Sequence, residues 1–330
     1  MQNTTIDKVN TGLIFIALLL AYVMPFKLFL LSYAVLGPLH YLTEIHWLKT
    51  KHFFISKKSF LVPVLLVFTI VISLFSFAKI TKSWLPDFIY QVFYSSIVWA
   101  NTLLFTSFCV VVLVKLLSDK VPLYMNVIVS LIFGLTLKWL LPSSLTFFGL
   151  FVPTLLHVYV FTFLFMLYGF KKNKSSYGKL NLGFILCVPF FIGLVPLPWG
   201  FSSPNPSDIS ILNESQFTQL HFALAKLGSL PVSSDFVYET ILGRKIQVFI
   251  AFAYLYHYLN WFSKTSIIGW RKTLNTKSML LIGCIWVGSL LIYWYDFSKG
   301  FLALFFLSFL HVVLEFPLNM DTLKAVFKKS

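Results

Sequence analysis

The chain has few charged residues, and this shortage excludes an ordinary soluble domain. Of its 330 residues, 11% are charged and 58% are hydrophobic, whereas soluble domains carry about a quarter charged residues. Apolar runs of about 18 to 24 residues recur along the chain, each long enough to cross a bilayer as a helix. They lack the two-residue alternation of β-barrel strands. The sequence therefore predicts an all-α, polytopic transmembrane helical bundle that forms a single domain over residues 1–330.

Cysteine is also scarce. The only three cysteines, Cys109, Cys187 and Cys284, fall inside apolar runs at scattered spacing, which excludes a disulfide framework and favours small buried hydrophobic residues. The seven histidines include no His-His pair. Membrane fatty-acid desaturases and hydroxylases use such pairs among about eight histidines, so this class and the haem-copper oxidases are disfavoured.

The net charge of +15 does not come from one basic domain. The basic residues lie mostly in short loops between apolar runs, so we expect anionic lipid headgroups as their partners and no nucleic acid. Lysine-rich loops alternate with lysine-poor ones, which predicts an even number of spans, about ten, with both termini cytoplasmic. The expected location is an inner (cell) membrane of bacterial type. The predicted helices lie near residues 10–25, 28–48, 60–80, 88–115, 123–141, 145–169, 180–198, 240–263, 279–296 and 301–319.

One long outer loop is predicted at about residues 199–238. Its Ser- and Pro-rich start at 202–207 breaks the preceding helix. Within the loop, four apolar residues keep helical spacing and predict a short interfacial helix. These residues are Phe217, Leu220, Leu224 and Leu227.

Two acidic residues stand out among the eleven. Only Glu44 and Glu315 lie well within apolar runs, where a carboxylate costs several kcal/mol unless it is paired, protonated or metal-bound. Each follows a histidine by four residues, His40 and His311 respectively. The two members of each pair therefore share one helix face, one turn apart.

Two further histidines, His157 and His257, also lie within apolar runs. With the N-terminus inside, all four histidine-bearing spans run inward, and each histidine precedes the next lysine by about 7 to 14 residues. We therefore expect a buried metal centre in the inner half of the bilayer. Its predicted metal-binding residues are His40, Glu44, His157, His257, His311 and Glu315.

Two arrangements of this metal centre are open. Four histidines and two glutamates divide into two sets of two histidines and one carboxylate, which suits two non-haem irons with open positions for O₂. Alternatively, the histidines hold one iron and the glutamates orient them. Predicted hydrogen-bond partners are Tyr41, Tyr256, Asn260 and Asn319, and His46 is an additional candidate ligand. His46 and His52 at the inner interface, and His221 on the outer loop, are expected to be solvated.

Other functions fit part of this pattern. Intramembrane histidine and glutamate also form proton relays, so a proton-coupled transporter is the main alternative, although the sequence shows no internal repeat. A bis-histidine haem protein would use the four histidines as two axial pairs and leave the glutamates without a role. Salt-bridged packing of helices is the structural alternative.

The string Pro38-x-His40-x-x-x-Glu44-x-His46 resembles the Pro-His-x-x-x-Asp-His signature of the bacterial and archaeal β-carotene-cleaving dioxygenases related to Brp and Blh. Those polytopic proteins use iron and O₂ to split carotene into retinal. The resemblance implies an iron-binding role for His40, Glu44 and His46. It favours an O₂-dependent iron oxidoreductase that acts on a lipophilic small molecule such as a carotenoid, isoprenoid or lipid. The sequence predicts no oligomeric state.

Overall fold

A computed structural model describes residues 2–51, 60–117, 120–198, 204–230, 232–265 and 269–328. These described residues form helices joined by turns and contain no strand, which confirms the all-α prediction. The α-helices α1 to α17 are, in order, Gln2–Val23, Pro25–Leu31, Gly37–Thr50, Leu61–Thr81, Asp87–Tyr94, Ala100–Leu117, Leu123–Leu140, Pro142–Phe151, Thr162–Asn173, Ser176–Leu194, Pro206–Glu214, Gln219–Leu227, Ser234–Glu239, Ile241–Ser263, Trp270–Thr273, Thr276–Tyr295 and Phe297–Phe327.

Nine stretches of the described residues are helical, long and apolar enough to cross a membrane, which confirms a polytopic integral membrane protein. Large apolar side chains are exposed along them, for example Leu19, Ile132 and Leu291. Such side chains contact lipid in a bilayer. The nine stretches are Thr4–Val23, Pro25–Thr50, Leu61–Thr81, Asp87–Leu117, Leu123–Leu140, Pro142–Asn173, Ser176–Leu194, Thr276–Tyr295 and Phe297–Phe327.

The eighth predicted span, at residues 240–263, forms helix α14 but is not among these nine stretches. Its 23 residues include Gln247, His257 and Asn260, all of them buried. A helix surrounded by other helices needs no apolar face toward lipid, so its sequence tolerates polar residues that face protein. The count of ten spans and the cytoplasmic termini stay predictions.

Helix ends differ from the predicted ones at both ends of the chain. The first helix begins at Gln2 instead of about residue 10, and the last continues to Phe327 instead of about residue 319. Pro317 lies inside the last helix without ending it. Proline is tolerated within membrane helices because neighbouring helices and side chains satisfy the freed carbonyl.

Residues 1–40 and 154–274 form one compact unit, unit 1. Helix α14 is its centre: α1, α2, α10, α12 and α13 all pack against it. The side chains from Ile250 to Tyr258 are buried without interruption. Burial on every side fixes the rotation of α14, which orients its polar residues.

Residues 41–153 and 275–330 form the other compact unit, unit 2. Its last helix, α17, packs against α4, α6 and α16, and α6 packs against α7 and α8. At one end of this unit Lys115 forms a 2.7 Å ion pair with Asp321, and Lys324 donates to the Lys115 carbonyl. The prediction of a single domain over residues 1–330 stays a prediction.

Two spans are interrupted by wider, π-helical turns, at Ser32–Leu36 and Val152–Phe161. Pro153 stands at the start of the second, where its missing N–H disturbs the regular hydrogen-bond ladder. Such turns rotate the side chains that follow them and are frequent at functional sites. The second carries His157, and the first ends four residues before His40.

The region predicted as one outer loop with one helix contains three helices among its described residues. The predicted interfacial helix is Gln219–Leu227, preceded by Pro206–Glu214 and followed by Ser234–Glu239. Phe217 anchors the region through edge-on ring contacts with Phe29 and Tyr33, with centroids 4.8 and 5.0 Å apart. Leu220 is buried, whereas Leu227 is exposed.

His221 is buried, so the prediction that it is solvated is wrong. Its side chain is 2% exposed on the face of α12 that also buries Leu220 and Ala225, and α12 packs against α14. Burial lowers the pKa of His221 to about 3. A histidine spaced with apolar residues at helical intervals was the available signal of this burial.

Acid is therefore expected to destabilise the protein through His221. The unfolded chain takes up a proton below about pH 6.5 and the folded chain only near pH 3, so stability is lost as the pH falls between these values. At pH 5 the loss is about 2 kcal/mol relative to pH 7.5. Thermal unfolding in detergent checks this: the melting temperature of His221→Leu should fall less between pH 7.5 and pH 5 than that of wild type. Parallel pH profiles would contradict it.

Candidate metal centre

Unit 1 brings three of the predicted metal-binding histidines together from three separate helical segments. His40 lies on α3, His157 on the π-helical turns at Val152–Phe161, and His257 on α14. All three side chains are buried, with exposures of 1%, 3% and 7%. Imidazoles at this burial are shielded from water that would compete for a metal ion.

The His257 ring contacts the rings of both His40 and His157. The Nε2 atoms of His40 and His257 are 3.0 Å apart, and their rings meet at 81°. The rings of His157 and His257 have centroids 4.9 Å apart. A ring nitrogen of His157 lies within 4.8 Å of one of His40. The histidines therefore converge on one region of unit 1.

The distance between the two Nε2 atoms fits a shared metal ion. Imidazole nitrogens bind first-row metals at about 2.0–2.1 Å, so two nitrogens at right angles on one ion stand about 3 Å apart. Two axial ligands on opposite sides of a haem iron would stand about 4 Å apart with the porphyrin between them. The separation of His40 and His257 therefore favours a non-haem ion over an axial haem pair.

Two aromatic rings and one hydroxyl group lie beside these histidines. Tyr258 and Trp261 pack beside His40, with ring centroids 5.3 and 5.4 Å away. On the other side, the Thr162 hydroxyl lies 2.8 Å from Nδ1 of His257. Aromatic walls exclude water and fix the imidazole planes, which favours a rigid ligand geometry.

Two of the predicted hydrogen-bond partners lie on the histidine-bearing helix α14. Asn260 is 7% exposed and lies three residues after His257, on a neighbouring position of the helix face. Tyr256 is fully buried, but its hydroxyl donates to Met166 Sδ at 3.5 Å and its ring stacks on Phe252. The contact with Met166 gives Tyr256 a packing role in unit 1.

Unit 2 contains the remaining predicted residues as a second buried group. The His311 ring stacks on Tyr41, with centroids 4.1 Å apart and planes 21° apart. The side chains of Glu44 and Glu315 lie close enough to each other to interact directly. Asn319 donates to Glu315 Oε2 at 3.3 Å. A hydrogen bond between the two carboxyl groups would require a proton on one of them.

The three other histidines differ from one another. His46 is half-buried, and His221 is buried on α12 in unit 1. His52 lies outside the described residues. Thr162 and Trp261 are contacts of the histidines that the sequence argument missed. Thr162 follows His157 by five residues, and Trp261 follows His257 by four, so helical spacing alone could have suggested Trp261.

No family model, curated protein or solved structure matches the chain. The site is therefore interpreted from its own chemistry. Three buried imidazoles with a 3.0 Å nitrogen contact, and a second buried set of one imidazole and two carboxyl groups, are ligand types that suit iron and related metals.

Proposed function

We propose that this chain is a membrane-embedded non-haem iron oxidoreductase that acts with O₂ on a lipophilic substrate such as a carotenoid, isoprenoid or lipid. The observation that carries the proposal is the close approach of the buried His40 and His257 nitrogens. In the metal-free protein one of these ring nitrogens donates its N–H to the other. A metal cation in place of that hydrogen would accept both nitrogen lone pairs.

In this proposal His40, His157 and His257 form the core of the ligand set. The sequence argument adds His311, Glu44 and Glu315 to the predicted set, as ligands or as groups that orient ligands, because it predicts all six residues at one depth. One iron held by the histidines, or two irons each held by two histidines and a carboxylate, both use these residues. The number of bound ions distinguishes the two arrangements.

Bound iron would activate O₂, and the protein would provide a buried, apolar environment for the reaction. Burial of the histidines and of Glu44 and Glu315 keeps bulk water out, which protects reactive species from side reactions. The rings of Tyr258 and Trp261 provide an apolar wall beside His40. An apolar substrate dissolved in the bilayer reaches such a site sideways from lipid, so no water-filled channel is needed.

The resemblance to the Brp- and Blh-related dioxygenases is part of the proposal. Of the residues that carry it, His40 and Glu44 are buried, and His40 contacts a second histidine. His46 is half-buried, so we give it no ligand role beyond that of an additional candidate. The proposed location is a bacterial inner membrane, with both termini cytoplasmic.

Oxygen uptake by iron-loaded protein tests the proposal. We expect proteoliposomes to consume O₂ when β-carotene, a long-chain isoprenoid or an unsaturated acyl lipid is included, and product analysis identifies which compound is oxidised. The same vesicles with His257→Ala protein should consume O₂ at the background rate, because the ligand set is broken. His221→Leu is the matched control, since it removes a buried histidine of unit 1 outside the metal centre.

Two results would overturn the proposal. The first is an uptake rate in His257→Ala equal to wild type. The second is no uptake with any of the three lipid classes, together with a proton flux across the vesicles that His257→Ala abolishes. That second result would establish the proton-coupled transporter that the same histidines and glutamates also suit.

A further inference from the structure

Thr162 is the first residue of α9, and its hydroxyl makes two short contacts inside unit 1. The oxygen lies 2.8 Å from the Val158 carbonyl oxygen and 2.8 Å from Nδ1 of His257. Thr162 itself is 4% exposed. Both contacts are therefore made without competition from bulk water.

A hydroxyl has one hydrogen, and this fixes the roles in the two contacts. The Val158 carbonyl can only accept, so a 2.8 Å contact with it requires the Thr162 hydrogen. The hydroxyl oxygen must then accept from His257, which places a hydrogen on Nδ1. The opposite assignment would leave two oxygens 2.8 Å apart with no hydrogen between them.

We infer that Thr162 is a positioning residue that holds His257 in the Nδ1–H tautomer, so that the Nε2 lone pair points toward His40. The hydrogen bond on one ring nitrogen of a histidine decides which nitrogen is free to bind a metal. With its hydrogen on Nδ1, His257 accepts the 3.0 Å hydrogen bond from His40 through Nε2, and this same Nε2 lone pair is the one that a metal ion would bind. The importance of this for iron rests on the proposed function, but the tautomer itself does not.

Two substitutions of Thr162 distinguish the effect of its hydroxyl group from the effect of its side-chain volume. Thr162→Val keeps the volume and removes the acceptor, whereas Thr162→Ser keeps the hydroxyl. Thr69→Val is the matched control: Thr69 is a fully buried threonine that donates to the Leu65 carbonyl at 2.9 Å, the same contact four residues back. A general cost of replacing a buried threonine in a membrane helix would appear in this control.

The tautomer is read by long-range ¹H–¹⁵N correlation spectra of histidine-labelled, chelator-treated protein in detergent. The His257 signals are assigned by their loss in His257→Gln. We expect the Nδ1–H tautomer in wild type, Thr162→Ser and Thr69→Val, and a shift toward the Nε2–H tautomer in Thr162→Val. The affinity for ferrous iron should fall about 10- to 100-fold in Thr162→Val alone, the usual effect of losing such a partner.

An Nε2–H tautomer of His257 in wild type would overturn the inference. So would an unchanged tautomer in Thr162→Val. A changed tautomer with unchanged iron affinity would keep Thr162 as the residue that sets the tautomer and would remove His257 Nε2 from the proposed iron ligands. If wild type shows the Nδ1–H tautomer and binds no iron, the proposed function fails, while the assignment of Thr162 as the residue that sets the tautomer stands.

Discussion

His257→Ala is expected to lower the affinity of the protein for ferrous iron by more than about a hundredfold, because losing a ligand costs more than losing its hydrogen-bond partner. His257 contacts both His40 and His157, with a 3.0 Å nitrogen contact to one and ring centroids 4.9 Å apart with the other. His257 therefore links the other two histidines of this group. Equilibrium binding under anaerobic conditions measures the change.

His221→Leu should bind iron as wild type does, since its histidine is buried in the same unit without belonging to the metal centre. Circular dichroism of each variant confirms that the helices are retained. Equal iron affinities of wild type and well-folded His257→Ala would remove His257 from the ligand set.

Breaking the buried carboxyl pair of unit 2 is expected to have the largest effect on stability. In metal-free protein, Glu44→Leu should lower the free energy of unfolding by about 1–3 kcal/mol, because Glu315 loses a buried polar partner. Glu315→Leu should have a similar effect. The double variant should cost less than the sum of the two single changes, because it removes both members of the pair.

Unfolding in mixed micelles, with chelator present, measures this coupling. Phe316→Leu is a suitable control, as it changes a buried neighbour on the same helix without altering hydrogen bonding. Additive effects of Glu44→Leu and Glu315→Leu would show that the interaction between these carboxyl groups contributes nothing to stability.

Hydrophobic run length predicted most of the helices, because a bilayer of fixed thickness sets a minimum length for an apolar span. It predicted their ends less well. The start at Gln2 and the continuation past Pro317 to Phe327 depend on packing and on hydrogen bonding at the membrane boundary, which the local sequence does not encode. The length of the run predicted helix α14 as a span. Its buried polar residues are those of a helix that is surrounded by protein.

The sequence predicted the residues of the candidate metal centre from their types and their expected depth, but it did not predict which of them contact one another. Depth along a span does not give the rotation of a helix about its axis, and rotation decides which side chains meet. The π-helical turns that carry His157 change that rotation, and regular helical spacing could not predict them. For the same reason Thr162 was missed, and Tyr256 was predicted beside the histidines although its hydroxyl contacts Met166.

Metal content is the most direct test of the central claim, that these buried histidines hold iron. Detergent-purified wild type is reconstituted anaerobically with ferrous iron, freed of excess metal and measured by mass spectrometry, with an absorption spectrum to detect haem. We predict one or two irons per chain, no haem spectrum, and loss of the iron in His257→Ala. Well-folded wild type that retains no iron after this treatment, or that carries haem, would contradict the account.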